Sequence, residues 1–223
     1  MQAEINDRRT GDGPANEVEG HYREEESMLN KETHSKPAIP LLLIVNGHPA
    51  TGKTSVVQQV CDRLPASLRL DIDAIREMIP TWRDDALASE RGARSLACCA
   101  ADKALADNRD VAISQNFCDP EHLDILWEIG HLRDAVVVEV VLTASLDVVK
   151  ALFIKRGGKQ YDDLVSSGRS LDYLDDVYER LERLVKSRPS AHRIEREGRT
   201  LDEVTAVVFG LVTAARHKGQ TDG

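Results

Sequence analysis

Leu41-Leu42-Leu43-Ile44-Val45-Asn46-Gly47-His48-Pro49-Ala50-Thr51-Gly52-Lys53-Thr54-Ser55 is the stretch on which the reading of the chain turns. The apolar run Leu41 to Val45 predicts a strand buried on both faces. Gly47 to Thr54 then reads G-x-x-x-x-G-K-T, the spacing of a phosphate-binding loop. Val56, Val57, Val60 and Leu64 follow at helical spacing, so the loop opens a helix whose positive end faces the anion. Gly47 and Gly52 permit backbone angles that a side chain would forbid. Pro49 has no N–H, which leaves the amides between Ala50 and Ser55 as donors. In such a loop Lys53 reaches the β- and γ-phosphates and Thr54 ligates Mg²⁺. The nucleotide-binding stretch is therefore Gly47, His48, Pro49, Ala50, Thr51, Gly52, Lys53, Thr54 and Ser55.

Downstream, Ser67 to Asp71 predicts a short second strand, followed by Asp71-Ile72-Asp73-Ala74-Ile75-Arg76 at the strand-to-helix junction. Open α/β sheets gather ligands at the C-terminal ends of their strands. Asp73 also suits the N-cap of the next helix, which should begin there. Arg76 lies one turn further on the same face. A carboxylate that orients or deprotonates an acceptor, beside an arginine that clamps charge, matches phosphoryl transfer to a hydroxyl.

Helix and strand then alternate. A helix from about Asp85 to Asn108 carries Leu87, Ala93, Leu96, Ala100, Ala104 and Leu105 as its core-facing stripe. Asp110 to Phe117 is the third strand running into a loop. Asp119-Pro120 caps another helix. Ala135 to Leu142 is a strand apolar enough for the sheet centre. A helix from Leu146 to Arg156 ends at Gly157-Gly158, and the basic segment through Arg169 reads as a lid that closes over phosphates. Residues 171 to 186 form a helix with Leu174, Val177, Leu181, Leu184 and Val185 on one face. His192 to Glu195 is a weak edge strand, and Thr200-Leu201-Asp202-Glu203 is a capping box that starts a final helix to about Arg216. The result is an α/β fold: a parallel sheet with helices on both faces. Residues 1–38 read as a disordered tail, 39–217 as the domain and 218–223 as a C-terminal tail.

Composition narrows the classes. A net charge of −9 argues against a general nucleic-acid coat, leaving room only for a local basic cleft. No apolar run approaches the roughly 18 residues of a membrane span, and the polar N-terminus does not read as a signal peptide. The four cysteines have no C-x-x-C spacing; Cys98 and Cys99 read as buried small apolar residues. The histidines lack H-E-x-x-H spacing, and D-x-x-G and N-K-x-D guanine motifs are missing. A cytoplasmic protein fits this composition.

On Gly47 to Thr54, Asp73-Ala74-Ile75-Arg76, Asn116-Phe117 and Arg156, the chain resembles the P-loop kinases of small acceptors over roughly residues 40 to 216. These include polynucleotide 5′-kinases, gluconate and shikimate-type kinases, chloramphenicol phosphotransferase and zeta-toxin-like kinases. The resemblance implies a three-layer α/β/α P-loop NTPase fold with a five-stranded parallel sheet in the order 2-3-1-4-5 and adenine near the loop after the last strand. It implies ATP and Mg²⁺ as cofactors, with phosphate grip by Lys53, metal by Thr54, acceptor activation by Asp73 and phosphate contact by Arg76 and Arg156. Many relatives carry an acid at the end of the third strand, where this chain has Ser114-Gln115. That leaves Asp71 or Asp73 as the carboxylates able to help hold Mg²⁺. The leading expectation is an ATP-dependent kinase of a small-molecule hydroxyl (a sugar, nucleoside or antibiotic). A polynucleotide 5′-hydroxyl kinase and a non-catalytic ATP-binding regulator are the alternatives.

Overall fold

The apolar run becomes β1, Leu41–Gly47, and every residue in it is buried. Its side chains alternate between two cores, as strand geometry requires. The computed structural model describes residues 39–64, 67–80, 82–157 and 171–221. The expected N-terminal tail and the basic segment from Gly158 to Ser170 lie outside the described residues.

Beside β1 stand β2 (Leu68–Asp71), β3 (Val111–Ser114), β4 (Val136–Thr143) and β5 (His192–Glu195). They form one parallel sheet in the order β2-β3-β1-β4-β5, the order expected. The helices are α1 (Lys53–Cys61), α2 (Ile72–Glu77), α3 (Ala86–Ala106), α4 (Pro120–Leu132), α5 (Leu146–Arg156), α6 (Asp172–Lys186) and α7 (Leu201–Thr221). Leu42 and Ile44 pack with Ala93, Ala97 and Ala101 of α3, Leu123 and Leu126 of α4, and Leu181 and Leu184 of α6. Leu41, Leu43 and Val45 pack on the other face with Val56, Val57 and Val60 of α1 and Val204, Val208 and Val212 of α7. Three layers result. β5 pairs only with β4 and buries only Ile194, as an edge strand does.

Several local expectations change. Helix α2 starts at Ile72 and not at Asp73, because Asp71 is the N-cap: its Oδ1 accepts from the amides of Asp73 at 3.1 Å and Ala74 at 3.3 Å. The buried stripe of α3 runs through Ala93, Ala97, Cys98, Ala101, Ala104 and Leu105. Leu96 falls off that stripe and Leu87 lies in the first turn, so they are 55% and 71% exposed. Cys98 is buried but its neighbour Cys99 is exposed, since adjacent helical residues point about 100° apart. Asp119 is the N-cap residue of α4 but makes no capping bond; its carboxylate pairs with Arg180 at 2.8 Å. The capping box at Thr200 forms, with the Thr200 amide donating to Glu203 at 2.7 Å and the Glu203 amide to Thr200 Oγ1 at 3.2 Å. Helix α7 continues past Arg216 to Thr221, so residues 218–221 are helix, not tail. Gly219 makes this fit, since a Cβ there would sit 2.9 Å from Val136 Cγ2.

Gly130 of α4 has the same role against β4: an added Cβ would lie 2.4 Å from Val137 Cγ2. Gly130→Ala should lower stability by about 1–3 kcal/mol through overpacking. Gly210→Ala on the open side of α7, where a Cβ meets nothing within 4 Å, should raise it by about 0.5–1 kcal/mol. Urea unfolding of both variants checks the pair, and an equal response at the two sites would contradict the packing described.

Candidate active site

The loop from Gly47 to Thr54 is held from two sides before any ligand arrives. On one side it leans on β4. Gly47 has φ 146°, and a Cβ there would sit 2.3 Å from the Leu142 carbonyl oxygen. The next amide, that of His48, donates to the same oxygen at 3.1 Å. On the other side two asparagines tie it to the segment after β3. Buried Asn46 accepts from the amides of Gly47 at 2.8 Å and Phe117 at 2.9 Å, and donates to the Phe117 carbonyl at 3.1 Å. Asn116 donates to the Gly47 carbonyl at 2.9 Å. Asn46 was not singled out from the sequence, although a polar residue closing an all-apolar strand is the signal that marks it.

Inside the loop, Ala50 and Gly52 both take positive φ, at 61° and 92°. Gly52 is the N-cap of α1 and offers no side chain to its first-turn amides. Those amides have no acceptor within the helix. With no acidic residue in the first turn of α1, the helix end keeps its attraction for an anion. The His48 carbonyl accepts three donors: Thr51 Oγ1 at 2.7 Å, Lys53 Nζ at 2.8 Å and, more loosely, the Thr51 amide at 3.4 Å.

Charge converges on Lys53. Burial brings its pKa down to about 8, the field of Asp73 opposes that shift and Arg156 reinforces it. Asp73 keeps exposed surface, yet the surrounding protein excludes enough water to raise its pKa. Asp71 adds to that rise, while Lys53, Arg76 and Arg156 oppose it. Lys53, Asp73, Arg76 and Arg156 are thus brought within one electrostatic neighbourhood from three segments: the start of α1, the first turns of α2 and the last residue of α5. Arg76 Nε donates to Ser89 Oγ at 3.1 Å, and its guanidinium lies 5.3 Å from the centre of the Trp82 ring. Trp82 also carries Arg83 at 4.4 Å, so it packs between two arginines.

Thr54 and Ser55 are exposed at the mouth. Ser114 Oγ, at the end of β3, stands 3.5 Å from Thr54 Oγ1. Ser114 therefore stands beside the loop threonine, at the place where the resemblance leads one to expect an acid. In the sheet register Asp71 is its neighbour. Among the described residues no three His, Cys, Asp or Glu side chains cluster as a metal site. The hydroxyl oxygens of Thr54 and Ser114 fit Mg²⁺, which takes hard oxygen ligands, keeps several waters and leans on substrate phosphates.

A family model described as an AAA domain matches residues 42–181. No curated protein matches the chain. A gluconokinase from Sinorhizobium meliloti superposes with a TM-score of 0.57 at 17% identity, over 83% of this chain and 98% of that one. A shikimate kinase from Bacteroides thetaiotaomicron gives 0.54 at 17% identity, over 78% and 98%. The tunicamycin resistance protein of Deinococcus radiodurans gives 0.55 at 15% identity, over 78% and 96%. At these identities the likeness is one of fold.

The depressed Lys53 pKa has a cost in stability. Below about pH 8 the folded protein holds an ammonium where burial disfavours it, and the cost disappears as pH rises toward the ordinary 10.5. Lys53→Met should therefore be more stable than wild type near pH 7, by up to about 3 kcal/mol. The gain should shrink between about pH 8 and about pH 10. Denaturant melts of both proteins across that range check this, and a gap that widens with pH would contradict it.

Proposed function

The chain belongs to the AAA-domain family, with the P-loop kinase fold, and from that membership we propose that it is an ATP-dependent phosphotransferase acting on a hydroxyl of a small molecule. The observation that carries the reading is a preformed phosphate loop whose Lys53 sits within the field of Asp73 and Arg156, with Arg76 acting on the same Asp73. Neighbours in fold that are kinases by name include a gluconokinase and a shikimate kinase. The acceptor class proposed here is a sugar, nucleoside or antibiotic-like hydroxyl compound.

In this reading the amides of residues 50–55 cradle the phosphates of ATP. Lys53 Nζ leaves the His48 carbonyl for the β- and γ-phosphate oxygens. Thr54, with Ser114 beside it, would hold Mg²⁺, and Asp71 or Asp73 would help through water. Bound there, the metal would supply charge neutralisation for the transferred phosphoryl group. Asp73 takes the proton of the acceptor hydroxyl while that oxygen bonds to the γ-phosphorus and the bond to the ADP oxygen breaks. Its raised pKa favours accepting that proton. Arg76 and Arg156 stabilise charge on the group in flight. No helix among the described residues is long and apolar enough to cross a membrane.

A second reading is favoured by one observation. Ser114 puts a neutral hydroxyl beside Thr54, which suits a module that binds ATP without transferring phosphate. ADP release with Mg·ATP across a broad panel of hydroxyl acceptors, oligonucleotide 5′ ends included, tests both. The kinase reading predicts release stimulated by a small acceptor, abolished in Lys53→Ala. ATP binding with no release in the presence of any acceptor would leave the regulatory module. A response to oligonucleotides that falls steeply with salt would point to a 5′-kinase.

Because Asp71 and not Asp73 caps α2, replacing Asp73 leaves the cap intact. Asp73→Asn should keep the fold and ATP affinity and lose on the order of 10²-fold in kcat, the scale of removing a general base. Melting and turnover on one sample check it; a normal rate would remove Asp73 from the mechanism. Arg156→Ala should lower transfer more than ATP binding, and equal losses would mean a ground-state contact only.

A further inference from the structure

His48 is odd in its place. It is the second residue of the phosphate loop, 0% exposed, and its ring is wedged between the end of β4 and helix α6. The ring lies flat on Tyr178 of α6, centroids 4.3 Å apart and planes within 7°. Nδ1 accepts from the Ala144 amide at 3.3 Å, which assigns the proton to Nε2. Nε2 is buried without a hydrogen-bond partner, and Glu182 Oε1 of α6 waits 3.6 Å away. An unpaired buried N–H is costly and calls for a reason. The gap to Glu182 exceeds a good hydrogen bond by well under 1 Å.

The backbone of the same residue holds the machinery. Its carbonyl accepts from Lys53 Nζ at 2.8 Å, and its amide is fixed on Leu142. Helix α6 also reaches the other parts of the site. Arg180 pairs with Asp119 after β3 at 2.8 Å, and Asp175 pairs at 2.7 Å with Lys150 of α5, the helix that ends in Arg156. Arg193 of β5 meets Glu182 at 3.3 Å on the far side.

We propose that His48 is a positioning residue through which α6 and the phosphate loop are mechanically coupled: the Tyr178 stack holds the carbonyl that parks Lys53, and nucleotide binding draws α6 in until Glu182 accepts from Nε2. This rests on the nucleotide-binding reading of the loop. When Lys53 leaves the His48 carbonyl for a phosphate, the loop loses one internal tie. The His48–Glu182 hydrogen bond replaces it and carries the signal to α6, which is tied through Asp175 to Lys150 of α5. Burial, with Lys53 and Arg193, brings the His48 pKa down to about 4, so the ring stacks as a neutral imidazole at ordinary pH.

The test uses the full chain with a non-hydrolysable ATP analogue and Mg²⁺. In wild type, amide hydrogen exchange in α6 should slow when the analogue binds. Tyr178→Leu should keep the melting temperature within a few degrees, bind the analogue about threefold to tenfold more weakly, the scale of one aromatic pair, and lose the slowing in α6. Tyr178→Phe keeps the stacking face and should behave as wild type, which separates coupling from the tyrosine hydroxyl. The wild-type exchange measurement stands whether or not the leucine variant folds. Binding of the analogue with no change in α6, or with full affinity in Tyr178→Leu, would overturn the coupling while leaving the kinase reading intact. No binding in wild type at all would overturn that reading and the coupling with it.

Discussion

A phosphate-binding loop has to be held in shape before its ligand arrives, and this chain holds its loop with two clamps. One is the approach of Gly47 and His48 to the Leu142 carbonyl at the end of β4, close enough that a single methyl at Gly47 would collide with it. The other is the pair Asn46 and Asn116, which fastens the loop to the segment after β3. Both need β1 to lie between β3 and β4, which the strand order provides. The alternating apolar residues of β1 secure that order by filling a core on each face. Sheet, loop and site are in this sense one construction.

The same construction concentrates charge. Half-buried Lys53 and crowded Asp73 each have their pKa moved so as to favour the neutral form, chiefly by loss of water. Opposed groups held so are a common mark of a functional site, although structural ion pairs produce such shifts too. A contrast lies on the far side of β4. There buried Glu139 accepts from Trp127 Nε1 at 2.7 Å and from Arg188 Nε at 2.9 Å, and Arg188 reaches Asp124 at 2.7 Å. That network joins α4 and the segment after α6 to the sheet with every charge in it paired, so we read it as structural.

Much of this was legible in the sequence because it is local. The apolar run, the G-x-x-x-x-G-K-T spacing and the alternation of strand and helix each depend on neighbours a few residues apart. The strand order came from the resemblance and matches the sheet. What stayed hidden depends on distance or on a choice between equivalent residues. Asp71 and Asp73 are both able to cap α2, and only the backbone entering the helix decides for Asp71. Asp119 sits at a capping position, but Arg180, far along the chain, claims its carboxylate. Ala93, Ala100, Ala104 and Leu105 face the core as expected, but Leu96 lies off that stripe of mostly small residues, so hydrophobicity alone misplaced it. The stack of His48 on Tyr178 joins the loop to a helix that no motif marks.

The most direct measurement is a crystal structure of the protein with Mg²⁺ and a non-hydrolysable ATP analogue. The account predicts phosphate oxygens on the amides between Ala50 and Ser55, with Lys53 Nζ moved from the His48 carbonyl to the β- and γ-phosphates. A nucleotide seated elsewhere, or one bound at the loop while Lys53 stays 2.8 Å from the His48 carbonyl as it is here, would contradict it.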